Sequence, residues 1–168
     1  IPTVPLSSIN DLDAAYTELR ECRAAGVRAM VDSMPCDCGR NIKKLALVSA
    51  ETYIHIIAPT GLHLAKYYDP GHWSHFYETE QLADLFAADI TEGIDQFDYS
   101  GPLVHRTAHK AGLIKVAALK EWDKRTKKIF SAAAAVHVQT GAPILTHTEE
   151  GQLALEQAHF LEEHGVDL

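Results

Sequence analysis

The sequence has few of the features that place a chain in a specialised class of protein. It holds 3 cysteines, an odd number, and one residue separates Cys36 from Cys38, which is not zinc-ribbon spacing. No apolar run approaches the roughly 20 residues of a membrane-spanning helix, and no signal-peptide pattern is visible. We therefore expect reduced thiols and a cytoplasmic protein that does not bind membranes.

The sequence also lacks a basic stripe, which is the usual footprint of a nucleic-acid-binding surface. Lysine and arginine number 15 against 23 aspartate and glutamate residues, so the formal net charge is −8. The basic cluster KRTKK, residues 124–128, falls on a predicted helix and is interpreted as a solvated face. We expect no nucleic-acid partner.

Neither end of the sequence has the form expected of a complete domain. The chain begins Ile1-Pro2 without methionine, and Val166 starts a new segment after Gly165, which closes a helix. A length of 168 residues, of which 46% are hydrophobic, still allows one packed core. We therefore predict a single partial domain over residues 1–168, cut from a longer protein.

Helical and strand-like segments alternate along the chain. The strand-like segments are short, apolar throughout and bounded by polar residues or glycine, which is typical of buried parallel strands. The helical segments place apolar residues near every 3.6 positions, as Leu82, Phe86 and Ile90 do. The pattern predicts helices over 8–25 (capped by Ser8 or Asn10), 41–51, 79–94, 123–139 and 149–164, and strands over 27–32, 53–58, 112–117 and 143–147.

This alternation predicts an α/β fold with a parallel sheet. An open dinucleotide-binding sheet should carry G-x-G-x-x-G after its first strand, but SMPCDCGRN stands there. A (β/α)8 TIM barrel is therefore favoured, and a full barrel needs about 250 residues. The four predicted strands amount to half of such a barrel, and its two open sheet edges favour a homodimer.

Lys115 stands between Ile114 and Val116 in an apolar strand, where a cation normally costs free energy. His147 ends the next predicted strand, 32 residues later. In parallel α/β folds the chemistry lies at the carboxyl ends of the strands. We expect the two residues at similar depth on neighbouring strands, roughly 5 Å apart laterally.

The residues alone leave three roles open for Lys115. Burial lowers the pKa of an amine and makes it nucleophilic, so Lys115 could form a Schiff base, as in an aldolase-type lyase. The neutral amine could instead take up carbon dioxide, and the resulting carbamate could bridge two metal ions with His147 as a further ligand. The third role is a lysine that only extends its ammonium group out of the sheet, in a non-catalytic remnant.

Several segments match one known family in order and spacing. The most specific are KAGLIKVA at 110–117 and AAAAVHVQTGAPILTHT at 132–148. AGVRAMVD at 25–32 with Gly39 and Arg40 after it, APTGLH at 58–63 and LADLFAADITEGI at 82–94 also fit. On these segments the chain resembles the phosphotriesterase family of the amidohydrolase superfamily.

The resemblance implies a barrel-shaped hydrolase with two divalent metal ions, usually zinc. The lysine that matches Lys115 is carboxylated and bridges the metals, and the histidine that matches His147 binds one of them. A hydroxide between the ions attacks a small-molecule ester, lactone or phosphotriester. The other ligands of the family, a His-x-His pair, a histidine and an aspartate, belong to strands before and after this chain, so the chain alone is expected to be inactive.

Residues 59–77 are predicted as a long loop crowded with histidine and aromatic side chains. Loops of this length usually form lids or binding surfaces. We predict that His63 and Tyr67 bind substrate, because His63 follows the second predicted strand most directly. The family often has an aromatic residue at that position, and histidine makes the pocket more polar, which favours a lactone or carboxylic ester.

Overall fold

The computed structural model describes residues 10–120 and 122–168, which form alternating helices and parallel strands. Two single turns of 3₁₀-helix, Ala65–Tyr67 and Trp73–His75, lie between the third strand and the third helix. None of the described helices is long and apolar enough to cross a membrane. The elements are α1 (Leu12–Ala24), β1 (Ala29–Val31), α2 (Ile42–Thr52), β2 (His55–Ile57), β3 (Pro59–Gly61), α3 (Thr79–Thr91), β4 (Leu113–Ala117), α4 (Lys124–Thr140), β5 (Ile144–His147) and α5 (Ala154–Glu163).

The predicted helices are present, but the first and the last begin 4 and 5 residues later than predicted. Asp11 caps α1, because its side chain accepts hydrogen bonds from two amides of the first turn. Asn10 is therefore not the cap, and Ser8 lies outside the described residues. Residues 149–153 form turns before α5, with Glu150 and Leu153 in the left-handed region. Polar residues at several neighbouring positions can cap a helix, so the sequence pattern leaves the start ambiguous.

The strands form two sheets, in the orders β1-β2 and β3-β4-β5, and all their pairings are parallel. β1 pairs with β2, β3 pairs with β4, and β4 pairs with β5. Only Ala58 separates β2 from β3: the Ile57 carbonyl accepts a hydrogen bond from Asp32 on the β1 side, and the Ala58 carbonyl accepts one from Gly112 on the β4 side. β2 and β3, residues 55–61, therefore follow one another in a single strand position between β1 and β4. This is the position of the predicted second strand. This consecutive parallel order confirms the prediction of part of a TIM barrel.

The prediction of a loop over residues 59–77 is wrong at its start. Residues 59–61 are strand β3, whose hydrogen bonds go to β4. Proline and glycine at the two ends of β3 disfavour a strand by propensity, but all three residues are buried and pair with β4, which overrides that preference. Tyr53 is also not a strand residue, since it ends α2 in the left-handed conformation with φ 56°.

The hydrophobic core lies between one face of the sheet and helices α3 and α4. Ile114 and Val116 of β4 are fully buried in one cluster with Phe86 of α3 and Phe130 of α4. Several strand residues remain in solvent instead: Val31, Ile57 and Leu145 are 45%, 38% and 37% exposed. Val31 and Ile57 are register partners, so these two exposed side chains are neighbours at the β1–β2 end of the sheet, whereas Leu145 is exposed on β5.

A buried ion pair joins the segments around β3. Arg40, in the loop after β1, places Nη1 3.1 Å from Asp89 Oδ2 of α3, and both side chains are fully buried. The same Nη1 donates to the Pro59 carbonyl at 2.6 Å, and Thr60 Oγ1 donates to Asp89 at 2.9 Å. The start of β3 is therefore fixed by side chains from the preceding loop and the following helix.

A second carboxylate extends this network toward the surface. Arg40 Nε and Nη2 donate to Asp98 Oδ1 at 2.9 and 2.5 Å. Burial raises the pKa of Asp98 to about 6, although the guanidinium group of Arg40 opposes that rise. Tyr99 and Arg106 contact the other oxygen of Asp89, so both sides of its carboxylate are hydrogen-bonded. Such complete pairing is what allows charges to be buried.

Replacing Arg40 with methionine removes the cation from two carboxylates in the core. We expect the free energy of unfolding to fall by about 3–5 kcal/mol, because an unpaired charge then stays buried. The matched control is Arg20→Met, since the 3.9 Å pair of Arg20 with Glu51 is solvent-exposed and should contribute less than about 1 kcal/mol. Urea denaturation of the full-length protein measures both losses, and equal losses would contradict the role of the Arg40 network.

Candidate functional site

The candidate site lies at the carboxyl ends of β3, β4 and β5. Lys115 is 4% exposed, and no described residue accepts a hydrogen bond from its Nζ atom or pairs with it. Burial lowers the pKa of Lys115, because the charged amine loses hydration that nothing nearby replaces. The side chain therefore has the two properties of a reactive amine, a reduced proton affinity and an unpaired nitrogen.

Gly61 allows β3 to approach the backbone of Lys115 closely. The two residues are register partners, and a Cβ atom on Gly61 would lie 2.0 Å from the Lys115 carbonyl oxygen. Gly61 also has φ +100°, a conformation that side-chain-bearing residues rarely adopt. No other residue type fits this position without moving β3 away from the site.

His147 lies on the neighbouring strand, but not at the depth of Lys115. Lys115 pairs with Leu145, and His147 pairs with Ala117, so the predicted equal depth is wrong by two residues. The pairing of Ile114 with Ile144 sets this register, which the sequence pattern alone did not specify. A shift of two residues keeps both side chains on one face, and their Cα atoms are about 8 Å apart along the diagonal.

His63 occupies the corresponding place on the other side of Lys115. It follows Gly61 by two residues, and its ring lies 5.3 Å from the His147 ring and 4.6 Å from the Tyr67 ring. Its Nδ1 accepts a hydrogen bond from the Leu64 amide at 2.8 Å, which leaves Nε2 to carry the proton of a neutral ring. Burial, and then the charges of His147 and Lys115, lower the pKa of His63 to about 4.

Backbone contacts hold His147 at the end of β5. Its carbonyl accepts hydrogen bonds from the Ala118 amide at 3.3 Å and from Gln157 Nε2 of α5 at 3.2 Å. Burial and the charge of Lys115 lower the pKa of the ring, which favours the neutral imidazole that metals bind. No described residue forms a hydrogen bond with either ring nitrogen of His147.

The donors that meet here suit a transition metal but do not make a complete site by themselves. Among the described residues, no group of three or more histidine, cysteine, aspartate or glutamate side chains is placed to hold an ion. Two imidazoles and an unpaired amine do converge. Carbon dioxide on that amine would add two carboxylate-like oxygens, so a carboxylated Lys115 with His147 fits a metal, provided that further ligands come from elsewhere.

His72, Cys36 and Cys38 in the nearby loops are engaged within the fold. His72 Nε2 lies 3.0 Å from Asp37 Oδ2 and its Nδ1 lies 2.8 Å from Ser74 Oγ, which attaches the loop to the segment after β1. Cys36 is fully buried with its sulfur near Thr60 and Asp89, and burial raises its pKa, so the thiol stays protonated. Cys38 is also a free, buried thiol.

The sequence analysis missed three cationic side chains near the site. Lys66, Lys120 and Arg125 line a cavity of about 340 Å³ beside the end of β4. The interpretation of residues 124–128 as a solvated face holds for Lys124 and Lys127, but Arg125 is partly buried. Arg125 precedes the buried Ile129 by four positions, and this helical spacing was the available signal for an inward-facing side chain.

Comparisons of the sequence with known proteins agree on one family. The sequence model of the phosphotriesterase family matches residues 6–168. A phospho-furanose lactonase of Mycoplasmopsis synoviae is 35% identical over 156 residues, which are 90% of this chain and 44% of that protein. An aryldialkylphosphatase of Saccharolobus solfataricus is 33% identical over 155 residues, which are 91% of this chain and 46% of that protein.

Two solved structures show the same arrangement of helices and strands. An amidohydrolase from Mycoplasma synoviae superposes with a TM-score of 0.89 at 33% identity, over 94% of this chain and 46% of that one. The phosphotriesterase homology protein from Escherichia coli, complexed with phosphate in its active site, gives a TM-score of 0.82 at 29% identity, over 95% and 51%. The chain thus spans about half the length of the relatives it matches.

Replacing Gly61 with alanine should disturb the site through the backbone. The added Cβ would collide with the Lys115 carbonyl and the positive φ would be strained, so we expect a loss of roughly 2–5 kcal/mol in unfolding free energy. Gly71→Ala is the control, because a Cβ there meets nothing within 4 Å and should change stability by less than about 0.5 kcal/mol. Thermal denaturation of both variants tests this, and a stable Gly61→Ala protein would show that the close approach is not required.

Proposed function

Because the chain belongs to the phosphotriesterase family, we propose that the full-length protein is a metal-dependent hydrolase of small-molecule esters. The proposed reaction is hydrolysis of a lactone, a carboxylic ester or a phosphotriester. Lys115 and His147 are the proposed metal-binding residues, with Lys115 in its carboxylated form. When bound, two divalent ions, which we propose to be zinc, would activate water and polarise the ester group.

The observation that carries this proposal is the buried, unpaired amine of Lys115. A lowered pKa leaves a fraction of the amine neutral, and only the neutral amine attacks carbon dioxide. The nitrogen lone pair forms the new N–C bond, and one proton leaves to solvent. The product is a carbamate anion, so the position would exchange an unfavourable buried cation for an anion that metal ions compensate.

His147 supports the same proposal as a nitrogen ligand. Its lowered pKa keeps the ring neutral, and no described side chain competes for its nitrogen lone pair. The hydrogen bonds to its carbonyl from Ala118 and Gln157 orient the backbone from which the ring projects. Since ligand position decides metal affinity, these two contacts are part of the proposed site.

His63, whose ring lies beside that of His147, and Tyr67 indicate the kind of substrate. A neutral His63 offers an Nε2–H donor, and Tyr67 contacts the edge of the same ring. Polar donors of this kind suit the carbonyl oxygen of a lactone or carboxylic ester better than the apolar arms of an organophosphate. We therefore propose a lactone or carboxylic ester as the preferred substrate, which agrees with the relative named phospho-furanose lactonase and not with the one named aryldialkylphosphatase.

We propose that the remaining metal ligands lie in the half of the barrel that these 168 residues do not include. The chain covers 44% and 46% of two relatives. Val31, Ile57 and Leu145 are exposed apolar strand residues, and further strands of a barrel would cover such side chains. The 168 residues alone are then expected to be inactive.

Lys115→Ala should remove bound metal and hydrolysis together. In the full-length protein we expect metal content to fall and kcat/KM to drop by about 100-fold or more, since a direct ligand is lost and even indirect ligand contacts cost 10–100-fold. Small carboxylates such as acetate should restore part of the activity, because they replace the carbamate oxygens. Lys110→Ala, an exposed lysine before β4, is the control. Metal analysis and ester-hydrolysis assays give the readout.

The competing role of Lys115 as a Schiff-base nucleophile is tested by reduction. Borohydride in the presence of a carbonyl substrate should leave no covalent adduct on the protein by mass spectrometry, whereas chelators should abolish activity. A trapped adduct on Lys115 with chelator-resistant activity would replace the hydrolase proposal by an aldolase-type lyase. Inactivity of the full-length protein with retained metal would instead favour a non-catalytic remnant.

A further inference from the structure

The two backbone polar groups of His63 are both hydrogen-bonded to side chains. The His63 amide donates to Tyr68 Oη at 2.8 Å, and the His63 carbonyl accepts a hydrogen bond from Arg125 Nη1 at 3.2 Å. In folded proteins, backbone groups bond mostly to other backbone groups. Two side-chain partners on one loop residue therefore single out His63 as a position that the fold holds in place.

Tyr68 and Arg125 also contact each other. The guanidinium group of Arg125 lies 5.4 Å from the centre of the Tyr68 ring, which is a cation–π distance. Tyr68 is 8% exposed, and its hydroxyl donates to the Cys36 carbonyl at 3.1 Å, in the loop after β1. The hydroxyl thus donates its proton to Cys36 and accepts the His63 amide, so it is fixed from two sides.

The backbone at His63 in turn sets the state of its ring. The Leu64 amide donates to His63 Nδ1 at 2.8 Å, so a neutral ring carries its proton on Nε2. That hydrogen bond joins adjacent residues and depends on the backbone conformation between them. Since the His63 ring lies 5.3 Å from the His147 ring, the Nε2–H donor belongs to the candidate site.

Arg125 is kept in place at a cost in stability. Its Nε and Nη2 atoms are buried, and no described residue accepts a hydrogen bond from them. Burial lowers the pKa of Arg125, because the charged guanidinium group loses hydration. Buried donors without acceptors cost free energy, and groups that are kept against stability are typical of functional positions. The contact with His63 is the function that the geometry offers for Arg125.

We propose that Tyr68 and Arg125 are positioning residues for His63, and that they hold its backbone so that the Nε2–H group faces the substrate. The inference rests on the proposed hydrolase function, in which His63 binds the substrate, and it adds two residues that act through His63. Loop residues are more mobile than the strands they follow, so support of this kind matters most there. Moving a positioned group by about 1 Å can lower a rate roughly 100-fold.

Arg125→Met should weaken substrate binding without removing metal. In the full-length zinc-loaded protein we expect KM for a lactone to rise about tenfold while kcat and metal content change little, since a binding contact is affected. Arg125→Met should add nothing in the His63→Ala background, because Arg125 acts through His63. Arg125→Lys, which keeps one donor for the carbonyl, should retain part of the affinity. Lys124→Ala, an exposed lysine one position earlier, is the control.

The tautomer of His63 gives a second readout that does not need hydrolysis. Ring-nitrogen NMR of the full-length protein with 15N-labelled histidine, at neutral pH, should show only the Nε2–H form of His63, assigned by its absence from His63→Ala. In Arg125→Met and Tyr68→Phe we expect both tautomers, since the Leu64 amide is no longer held against Nδ1. Tyr53→Phe is the matched control, because Tyr53 is 77% exposed, and it should keep the single tautomer.

A role of Arg125 in stability alone predicts a different pattern. Since Arg125→Met removes two buried donors, its thermal midpoint should not fall. A lower midpoint with an unchanged KM would show that Arg125 only stabilises the fold. Additive effects of Arg125→Met and His63→Ala, or a single unchanged tautomer in both folded variants, would also overturn the inference. If no ester is hydrolysed but the tautomer changes as expected, the hydrolase proposal fails and the positioning role stands.

Discussion

The buried ion pair between Arg40 and Asp89 is the interaction on which the rest of the structure depends. It joins the loop after β1, the start of β3 and the last turn of α3, which have no covalent connection at that point. Thr60 is hydrogen-bonded into this network, and the next residue, Gly61, contacts the backbone of Lys115. The position of the candidate site therefore follows from a pair of charges on the opposite face of the sheet.

Among the described residues, buried ionisable groups are paired on one face of the sheet and unpaired on the other. On the helix side, every charge of Arg40 and Asp89 meets a partner, so burial is compatible with ionisation. On the site side, Lys115 is buried without a partner, and its pKa falls instead. The chain thus holds one set of buried charges that are paired, and beside it a buried lysine and two histidines whose pKa values are lowered, a combination that marks a candidate reactive site.

The order of helices and strands could be predicted because hydrophobic periodicity is a local property of the sequence and does not depend on the tertiary arrangement. The depth of His147 relative to Lys115 could not, since strand register depends on packing between Ile114 and Ile144. Strand β3 was missed because proline and glycine disfavour strands locally, while burial and pairing with β4 imposed one. Asp89 had a visible signal, because it follows Phe86 by three positions on the apolar face of α3, yet its partner Arg40 lies 49 residues away along the chain.

By itself the sequence determined the alternating α/β pattern and the family, and it singled out Lys115 and His147 as the predicted site residues. These follow from local spacing and from motifs, which can be recognised in the sequence without the folded structure. Only the tertiary structure decided that His63 meets His147, that Gly61 lies against Lys115 and that Arg125 faces a cavity instead of solvent. Each of these depends on segments that are distant in the chain, and burial and electrostatic pairing between such segments exist only after the chain has folded.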